Sequence, residues 1–265
     1  MKSKDIQEIC TKLRDLLDKV VRNDLAEGIL LSGGLDTSIL AFLARKYWEN
    51  IKTFTICLEG YQNPKRDLEY AKLVADYLGL EHKIYFFSED ELFRTVPEVI
   101  RILEKRDEII EPIGVSTSVP TYIAMRFAKS EVDSIYTGIG ADELFMGYSS
   151  MKTTIEFLDS IDDEFARSLK NNLFSTVLQD CDVSYQESFG QILGLKVISP
   201  YLRLKEFALS LPVECKVRRE NEKIWGKWIF RKAFEDHLPK EIVWREKVPI
   251  DSGTGAIKLF ENENW

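Results

Sequence analysis

The stretch LLSGGLDTS, Leu30–Ser38, follows an apolar run and precedes a helix-like one, and its two glycines, two serines, threonine and aspartate are not core-packing residues. Upstream, Glu27–Leu31 reads as a buried strand; downstream, apolar residues from about Asp36 to Trp48 read as a helix. Ser32–Ser38 is then the turn between a strand and its helix. Gly33 and Gly34 let the backbone approach a ligand closely, and the amides of a helix start present donors at the positive end of the helix dipole. Such a turn seats an anion. The backbone at Leu31 and the hydroxyls of Ser32, Thr37 and Ser38 add to the seat, whereas Asp36 repels a phosphate unless a cation such as Mg²⁺ lies between them. The same residues would also serve a plain βα turn capped by serine and aspartate.

The pattern around this turn is an alternation. An amphipathic helix runs from Ile6 through Val20; IKTFTICL (Ile51–Leu58) is a second strand, Asp67–Leu78 a helix stopped by Gly79, and HKIYFF (His82–Phe87) a third strand. A helix spans about Ser88 to Lys105, another lies between Pro120 and Lys129, DSIYTG (Asp133–Gly138) is a fourth strand, and the remainder is mostly helical in pattern. Strands separated by helices imply βαβ units and a parallel sheet covered on both faces, with ligands at the carboxyl ends of the strands. The expected organisation is one chain-long domain: a helix over 1–25, a nucleotide-binding α/β core over 26–150 and a mostly helical portion over 151–265 that closes the site.

The fourth strand leads into TGIGADELFMGY (Thr137–Tyr148), which repeats the logic of the first turn. Gly138 and Gly140 make the turn, Ile139 lies between them, and Asp142 and Glu143 open the next helix. Two glycine turns, each with an acid, at one edge of a sheet would hold a pyrophosphate and its magnesium; helix capping by Asp142 and Glu143 would explain the second turn taken alone, and the pair of turns favours the phosphate reading.

Composition narrows the classes. With 265 residues and 45% hydrophobic side chains the chain can bury a full core. No apolar run approaches the roughly 20 residues of a membrane helix, and MKSKDIQEIC has no apolar segment of signal-peptide length, so a cytoplasmic protein is expected. Cys10, Cys57, Cys181 and Cys215 are far apart, without a C-x-x-C pair, and read as buried thiols. A formal charge of −8 disfavours a nucleic-acid-gripping surface and favours a small-molecule substrate.

Six ordered blocks carry a family resemblance: RNDLAEGILLSGGLDTS, DLEYAKLVADYLGLEH, EPIGVSTSVPTYIAMRFAK, TGIGADELFMGY, FALSLP and KWIFRKAFEDHLPKEIVWREK. SGGLDTS resembles the pyrophosphate (PP) loop of the ATP pyrophosphatases, and the chain is similar to the synthetase domain of asparagine synthetase and β-lactam synthetase. The resemblance implies an adenine nucleotide α-hydrolase-type parallel α/β sheet and an AMP- and pyrophosphate-forming ligase. Ser32, Gly33, Gly34, Asp36 and Ser38 would hold the phosphates of ATP and Mg²⁺, and Asp142 would supply a second metal carboxylate. Lys247, in WREKVPIDSGTG, falls where the family has a lysine that stabilises charge on pyrophosphate and the transition state. Glu111 matches an E-P at the mouth of the family's site, and Lys227 and Arg231 match a K-x-x-x-R that either reaches the phosphates or solvates a helix face.

The chain departs from the family in three places. The glutamine-hydrolysing domain that precedes this region in the family is not in this sequence, so nitrogen is expected from ammonia, an amine or a separate partner. Ile139 stands where the family has an acid, or tyrosine in β-lactam synthetase, and an isoleucine can neither take a proton nor bind an amine. GLKVISPYLR (Gly194–Arg203) replaces G-L-E-V-R-V-P-F-L-D, with Lys196, Ile198 and Arg203 at the altered charges. The leading expectation is thus adenylation of a small-molecule carboxylate and its transfer to a nitrogen nucleophile. Ammonia-dependent asparagine synthesis, a nucleotide-binding regulator and tRNA or sulfur-transfer modification are the alternatives. His82 and His237 are too far apart in sequence to suggest a metal site; the first reads as structural or adenine-side, the second as a helix-end cap.

Overall fold

A computed structural model describes residues 3–63, 66–105, 112–148, 153, 185–220 and 222–261. In chain order the elements are α1 (Ser3–Asn23), β1 (Gly28–Leu30), α2 (Leu35–Ala44), β2 (Lys52–Leu58), α3 (Asp67–Leu78), β3 (Glu81–Phe87), α4 (Glu89–Glu104), α5 (Pro112–Lys129), β4 (Ser134–Tyr136) and α6 (Ala141–Phe145). There follow α7 (Tyr185–Leu193), β5 (Lys196–Ile198), a 3₁₀ turn (Pro200–Leu204), α8 (Lys205–Ser210) and α9 (Val213–Lys216). The last are β6 (Arg218–Glu220), β7 (Lys223–Trp225), α10 (Trp228–Phe234), α11 (Lys240–Val243), α12 (Ile250–Thr254) and α13 (Ile257–Glu261).

Two compact units divide the described residues. One takes those within Met1–Asp24, Gly138–Val183 and Ser199–His237, the other those within Leu25–Thr137, Ser184–Ile198 and Leu238–Trp265.

The second of these units, the sheet unit, holds a parallel five-stranded sheet in the order β3-β2-β1-β4-β5. The chain lays β2 and β3 to one side of β1 and then crosses to place β4 and β5 on the other. The strand order therefore reverses at β1, and the carboxyl ends of β1 and β4 are where a ligand sits in a sheet of this kind. Thr53 to Cys57 of β2 are buried without interruption; because successive side chains point to opposite faces, both faces of this strand are covered, as the alternation of strands and helices predicts. Leu92, Val96, Val99 and Ile102 of α4 and Val119, Ile123 and Met125 of α5 join Phe54, Ile56, Phe87 and Ile135 of the sheet in one core.

Several sequence boundaries shift. The helix expected from Pro120 starts at Pro112 and carries Pro120 inside it. The helix expected to reach Trp48 ends at Ala44. Strand β5 falls in the block of altered charges, where three residues leave too little alternation to read. Gly79 takes the left-handed conformation, φ +64°, that ends α3 as expected.

The other unit, the helical unit, is built around α1, whose Leu13, Leu17 and Val21 are fully buried and whose Arg14 Nη1 donates to the Ala233 carbonyl at 2.8 Å. Phe145, Tyr201 and Phe230 stack within it at centroid distances of 4.3 and 5.3 Å. Arg218–Glu220 pairs with Lys223–Trp225 as an antiparallel hairpin. Trp228 Nε1 donates to Glu220 at 2.6 Å, and the Arg218 guanidinium lies 4.5 Å from the Trp228 ring.

Candidate active site

In the sheet unit, the loop after β1 runs along the start of α3. Gly33 has φ +67°, and a Cβ built on it would lie 2.3 Å from Ala71 N and Tyr70 C, so only glycine fits between loop and helix. Gly34 occupies the N-cap of α2 with φ −75° and makes no side-chain cap bond, so the start of this helix is not closed by its own N-cap residue. Leu31 is buried; its amide donates to Phe54 O at 2.8 Å and its carbonyl accepts from the Thr55 hydroxyl at 2.5 Å, which fixes the loop's point of departure.

The hydroxyls brace the loop. Ser38 Oγ donates to Gly34 O at 2.7 Å, Thr37 Oγ1 accepts from Ser32 N at 3.2 Å, and Ser32 Oγ accepts from Gly34 N at 3.2 Å. Asp36 is half-buried in the first turn of α2. His82 joins the Thr55 hydroxyl at 2.8 Å, and burial pushes its pKa below the usual histidine value.

Two residues that the sequence did not single out tie this loop to the Lys247 segment. Arg245 Nη1 donates to Ser32 O at 2.9 Å, its Nη2 donates to Asp67 Oδ1 at 2.7 Å, and its guanidinium lies 4.0 Å from the Tyr70 ring. Asp67 and Arg245 are both buried. Burial pushes the Asp67 carboxyl up, while first Arg245 and then the Lys247 ammonium pull it back. Lys247 is half-buried. In a single sequence Asp67 reads as an ordinary acid in the first turn of α3 and Arg245 as one cation among 36, so no local signal pairs them.

In the helical unit, the turn after Thr137 is again held by glycine geometry. Gly140 has φ +91°, and a Cβ there would lie 2.8 Å from Leu202 Cδ2. Glu143 Oε2 accepts from Gly140 N at 2.9 Å and its other oxygen accepts from the Tyr148 hydroxyl, so the capping reading of Glu143 holds. Gly138 and Ile139 are half-buried.

Asp142 pairs with Lys227: Nζ to Oδ1 is 2.7 Å, and the side chains are 9% and 4% exposed. The pair is tightly enclosed, since a Cβ at Gly147 would lie 1.8 Å from Asp142 Oδ1 and 2.2 Å from Lys227 Cε. Lys227 itself adopts φ +53° at the N-cap of α10, a conformation unusual outside glycine. Arg231 donates from Nε to Gly226 O at 3.0 Å, with its guanidinium 4.7 Å from the Trp225 ring. Lys227 and Arg231 are thus buried brackets around the 226–227 turn, and the solvated-face alternative for them is corrected. Glu111 and Cys181 lie outside the described residues, while Cys10, Cys57 and Cys215 are buried free thiols. Among the described residues no helix is long and apolar enough to cross a membrane.

The asparagine synthase family model matches residues 11–188 and 158–263. The asparagine synthetase (glutamine-hydrolysing) of Gallus gallus is 32% identical over 270 residues, covering 96% of this chain and 45% of its own length. The enzyme of the same name from Triphysaria versicolor is 31% identical over 255 residues, covering 89% and 41%. The chain thus spans less than half the length of these relatives. Among solved structures, an NH3-dependent NAD synthetase from Campylobacter jejuni gives a TM-score of 0.36 at 15% identity, covering 80% of this chain and 98% of that one. On the family model and the matched relatives, the chain belongs to the asparagine synthase family and corresponds to a synthetase part of it.

Proposed function

We propose that the chain is an ATP-dependent, AMP- and pyrophosphate-forming ligase that joins a small-molecule carboxylate to a nitrogen nucleophile. The observation that carries this reading is the loop after β1: Gly33 leaves no room for a Cβ, the first turn of α2 has no side-chain cap, and Arg245 bonds Ser32 O from two residues before Lys247. In this reading the Ser32–Ser38 loop takes ATP phosphate oxygens through its glycine backbone and the start of α2, while the amide and hydroxyl of Ser38, both bonded to Gly34 O, hold the loop in shape. In the second loop the Gly140 amide already bonds Glu143, and Gly138 is the glycine whose backbone is proposed for a phosphate.

Asp36 and Asp142 are each a carboxylate of the kind through which a hard cation binds together with phosphate oxygens. Mg²⁺ held there would neutralise phosphate charge. Asp142 also pairs with Lys227, so a cation on this carboxylate shares it with an ammonium that already compensates its burial.

The chemistry runs in two displacements. A substrate carboxylate oxygen attacks the α-phosphorus of ATP, the bond from that phosphorus to the bridging oxygen breaks, and pyrophosphate leaves with the electron pair. Lys247 stabilises the negative charge gathering on the departing group. A neutral nitrogen nucleophile then attacks the acyl carbon, AMP departs, and the nitrogen gives up a proton to form the amide. Ile139 offers no group to receive that proton, so the nucleophile arrives deprotonated or the base lies elsewhere. Ammonia from a separate donor is one source, because the relatives named above are glutamine-hydrolysing.

The test is pyrophosphate release from ATP and Mg²⁺ against pooled amino acids and carboxylates, with and without ammonium, beside Asp36→Ala and Lys247→Ala. Release that depends on one pool and is lost in both variants is expected. Unchanged turnover in Lys247→Ala would refute its role. A second reading, a nucleotide-binding regulator, draws on Ile139 and Ile198 standing at acceptor-half positions; ATP binding with silence in every pool would favour it.

A further inference from the structure

Lys247 lies between α11 and α12 in a segment, 245–249, that belongs to no helix or strand, beyond the last helix-type bonds from the amides of Trp244 and Arg245. A flexible ammonium on irregular backbone is a poor electrostatic catalyst, because stabilisation of a transition state requires a charge already in place. What holds the segment is on its two sides. Upstream, Arg245 is two residues away, at most about 7 Å of chain, and is fixed three ways: to Ser32 O, to Asp67 Oδ1 and against Tyr70. Downstream, α12 rests on the same aspartate: a Cβ at Gly253 would lie 2.3 Å from Asp67 Cγ and 2.4 Å from each of its oxygens. Asp251 is anchored separately, accepting from the Ser116 hydroxyl at 2.7 Å, and Tyr61 OH donates to Ser252 O at 3.3 Å.

Asp67 therefore bonds the upstream side of the Lys247 segment and packs against Gly253 of the helix that follows it, and the upstream tie is also bonded to the loop that Lys247 has to serve. We infer that Arg245 and Asp67 are positioning residues: a buried clasp that fixes Lys247 relative to the Ser32–Gly34 loop, so that its ammonium meets the departing pyrophosphate without reorganising. The inference rests on the assignment of Lys247 above. It explains why a buried carboxylate–guanidinium pair, whose desolvation offsets much of its attraction, is placed here rather than an apolar contact. It also explains the glycine at 253, where any side chain would push the carboxylate off Arg245.

The experiment is trace acetylation of lysines with acetic anhydride, read by peptide mass spectrometry, with and without Mg²⁺ and inorganic pyrophosphate. The wild type, Arg245→Gln, Arg245→Lys and Gly253→Ala are compared, with Lys83 on β3 as the internal reference. In the wild type, pyrophosphate is expected to protect Lys247 and not Lys83. In Arg245→Gln and Gly253→Ala that protection is expected to be lost while pyrophosphate binding, measured by calorimetry, is weakened but present; Arg245→Lys, which can still pair with Asp67, is expected to keep part of it. Equal protection of Lys247 in the wild type and in the folded variants overturns the clasp and leaves the role of Lys247 standing. Absence of protection in the wild type overturns the assignment of Lys247 and the clasp with it. If Arg245→Gln does not fold, Arg245→Lys and Gly253→Ala decide. A purely structural role would lower the melting temperature and expose Lys83 and Lys247 alike, and that pattern too overturns the inference.

Discussion

Gly33 and Gly34 are chemically identical neighbours, and the structure predicts opposite outcomes for adding one methyl to each. At Gly33 alanine must adopt φ +67°, which costs an L-residue about 1–2 kcal/mol. Its Cβ must also occupy space 2.3 Å from Ala71 N and Tyr70 C, backbone atoms that cannot rotate away, so that α3 or the loop has to move. Overpacking of this kind adds about 1–3 kcal/mol. The sum, about 2–5 kcal/mol, corresponds to a fall in Tm of roughly 4–20 °C at roughly 2–4 °C per kcal/mol. At Gly34, φ −75° suits alanine, and the nearest obstacle is the Ser32 hydroxyl at 3.2 Å, which can turn. There the reduced entropy of the unfolded chain is worth about 0.4–1 kcal/mol in favour of folding. Thermal melts and calorimetric titration with Mg²⁺ and ATP separate the two. Gly33→Ala is expected to melt low and bind nothing; Gly34→Ala is expected to melt within about 4 °C of the wild type and bind more weakly, because its methyl crowds the Ser32 hydroxyl in the loop proposed to take phosphate. A Gly33→Ala protein that melts with the wild type would refute the close approach of loop and α3.

Other perturbations test the buried charges. Lys227→Met leaves Asp142 buried without its ammonium and is expected to cost about 3–5 kcal/mol; Asp142→Asn combined with it is expected to recover part of that loss in urea denaturation. Lys216, buried and pushed down from 10.5 to about 8, carries fewer protons folded than unfolded between those values, so stability rises with pH from about 8. Above pH 9 the Cys215 thiol, pushed up to about 11, acts in the opposite sense, which leaves pH 8–9 as the window in which Lys216→Met should flatten the rise. His82, whose pKa burial lowers from 6.5, stays neutral in the fold while the unfolded chain takes up a proton. The stability it contributes is lost as pH falls through 6.5, and His82→Gln should remove that slope in melts between pH 7 and 5.

Much of the sheet unit was legible because its signals are local. The apolar run of β2, the period of α3 and the glycine that stops it are all written within a dozen residues, and so is the turn after β1. What escaped reading was non-local or short. Strand β5 has three residues and is defined by its register with β4, not by its own pattern. Pro120 looked like a helix start because proline favours first turns, yet it sits inside α5. Lys227 and Arg231 looked like a helix face because their spacing is i, i+4, but Lys227 turns out at the N-cap and reaches back to Asp142. Asp67 and Arg245 meet across most of the sequence, and nothing within a local window couples them.

Burial also sorts the departures from the family pattern, which the sequence alone leaves on an equal footing. Lys196 is exposed on β5, and Arg203 is 71% exposed, with only a 4.0 Å approach to Asp24. Exposed charges of this kind contribute little in any one arrangement and tolerate exchange. Ile198 is 8% exposed at the end of β5, in register with Tyr136, where a charged side chain would have to be buried and paired; an isoleucine there removes both the charge and the need for a partner. Ile139 is half-buried between the two glycines of its turn. The four altered positions thus reduce to two with chemical consequence, both exchanging a polar group for an aliphatic one. Under the proposed function, the loss of a polar group at each of these two positions favours an acceptor that is less polar than aspartate or that brings its own base. Ile139→Glu and Ile198→Arg, separately and together, are therefore the variants in which aspartate amidation by ammonium should first appear, and its absence from the double variant would place the acceptor's determinants elsewhere in the chain.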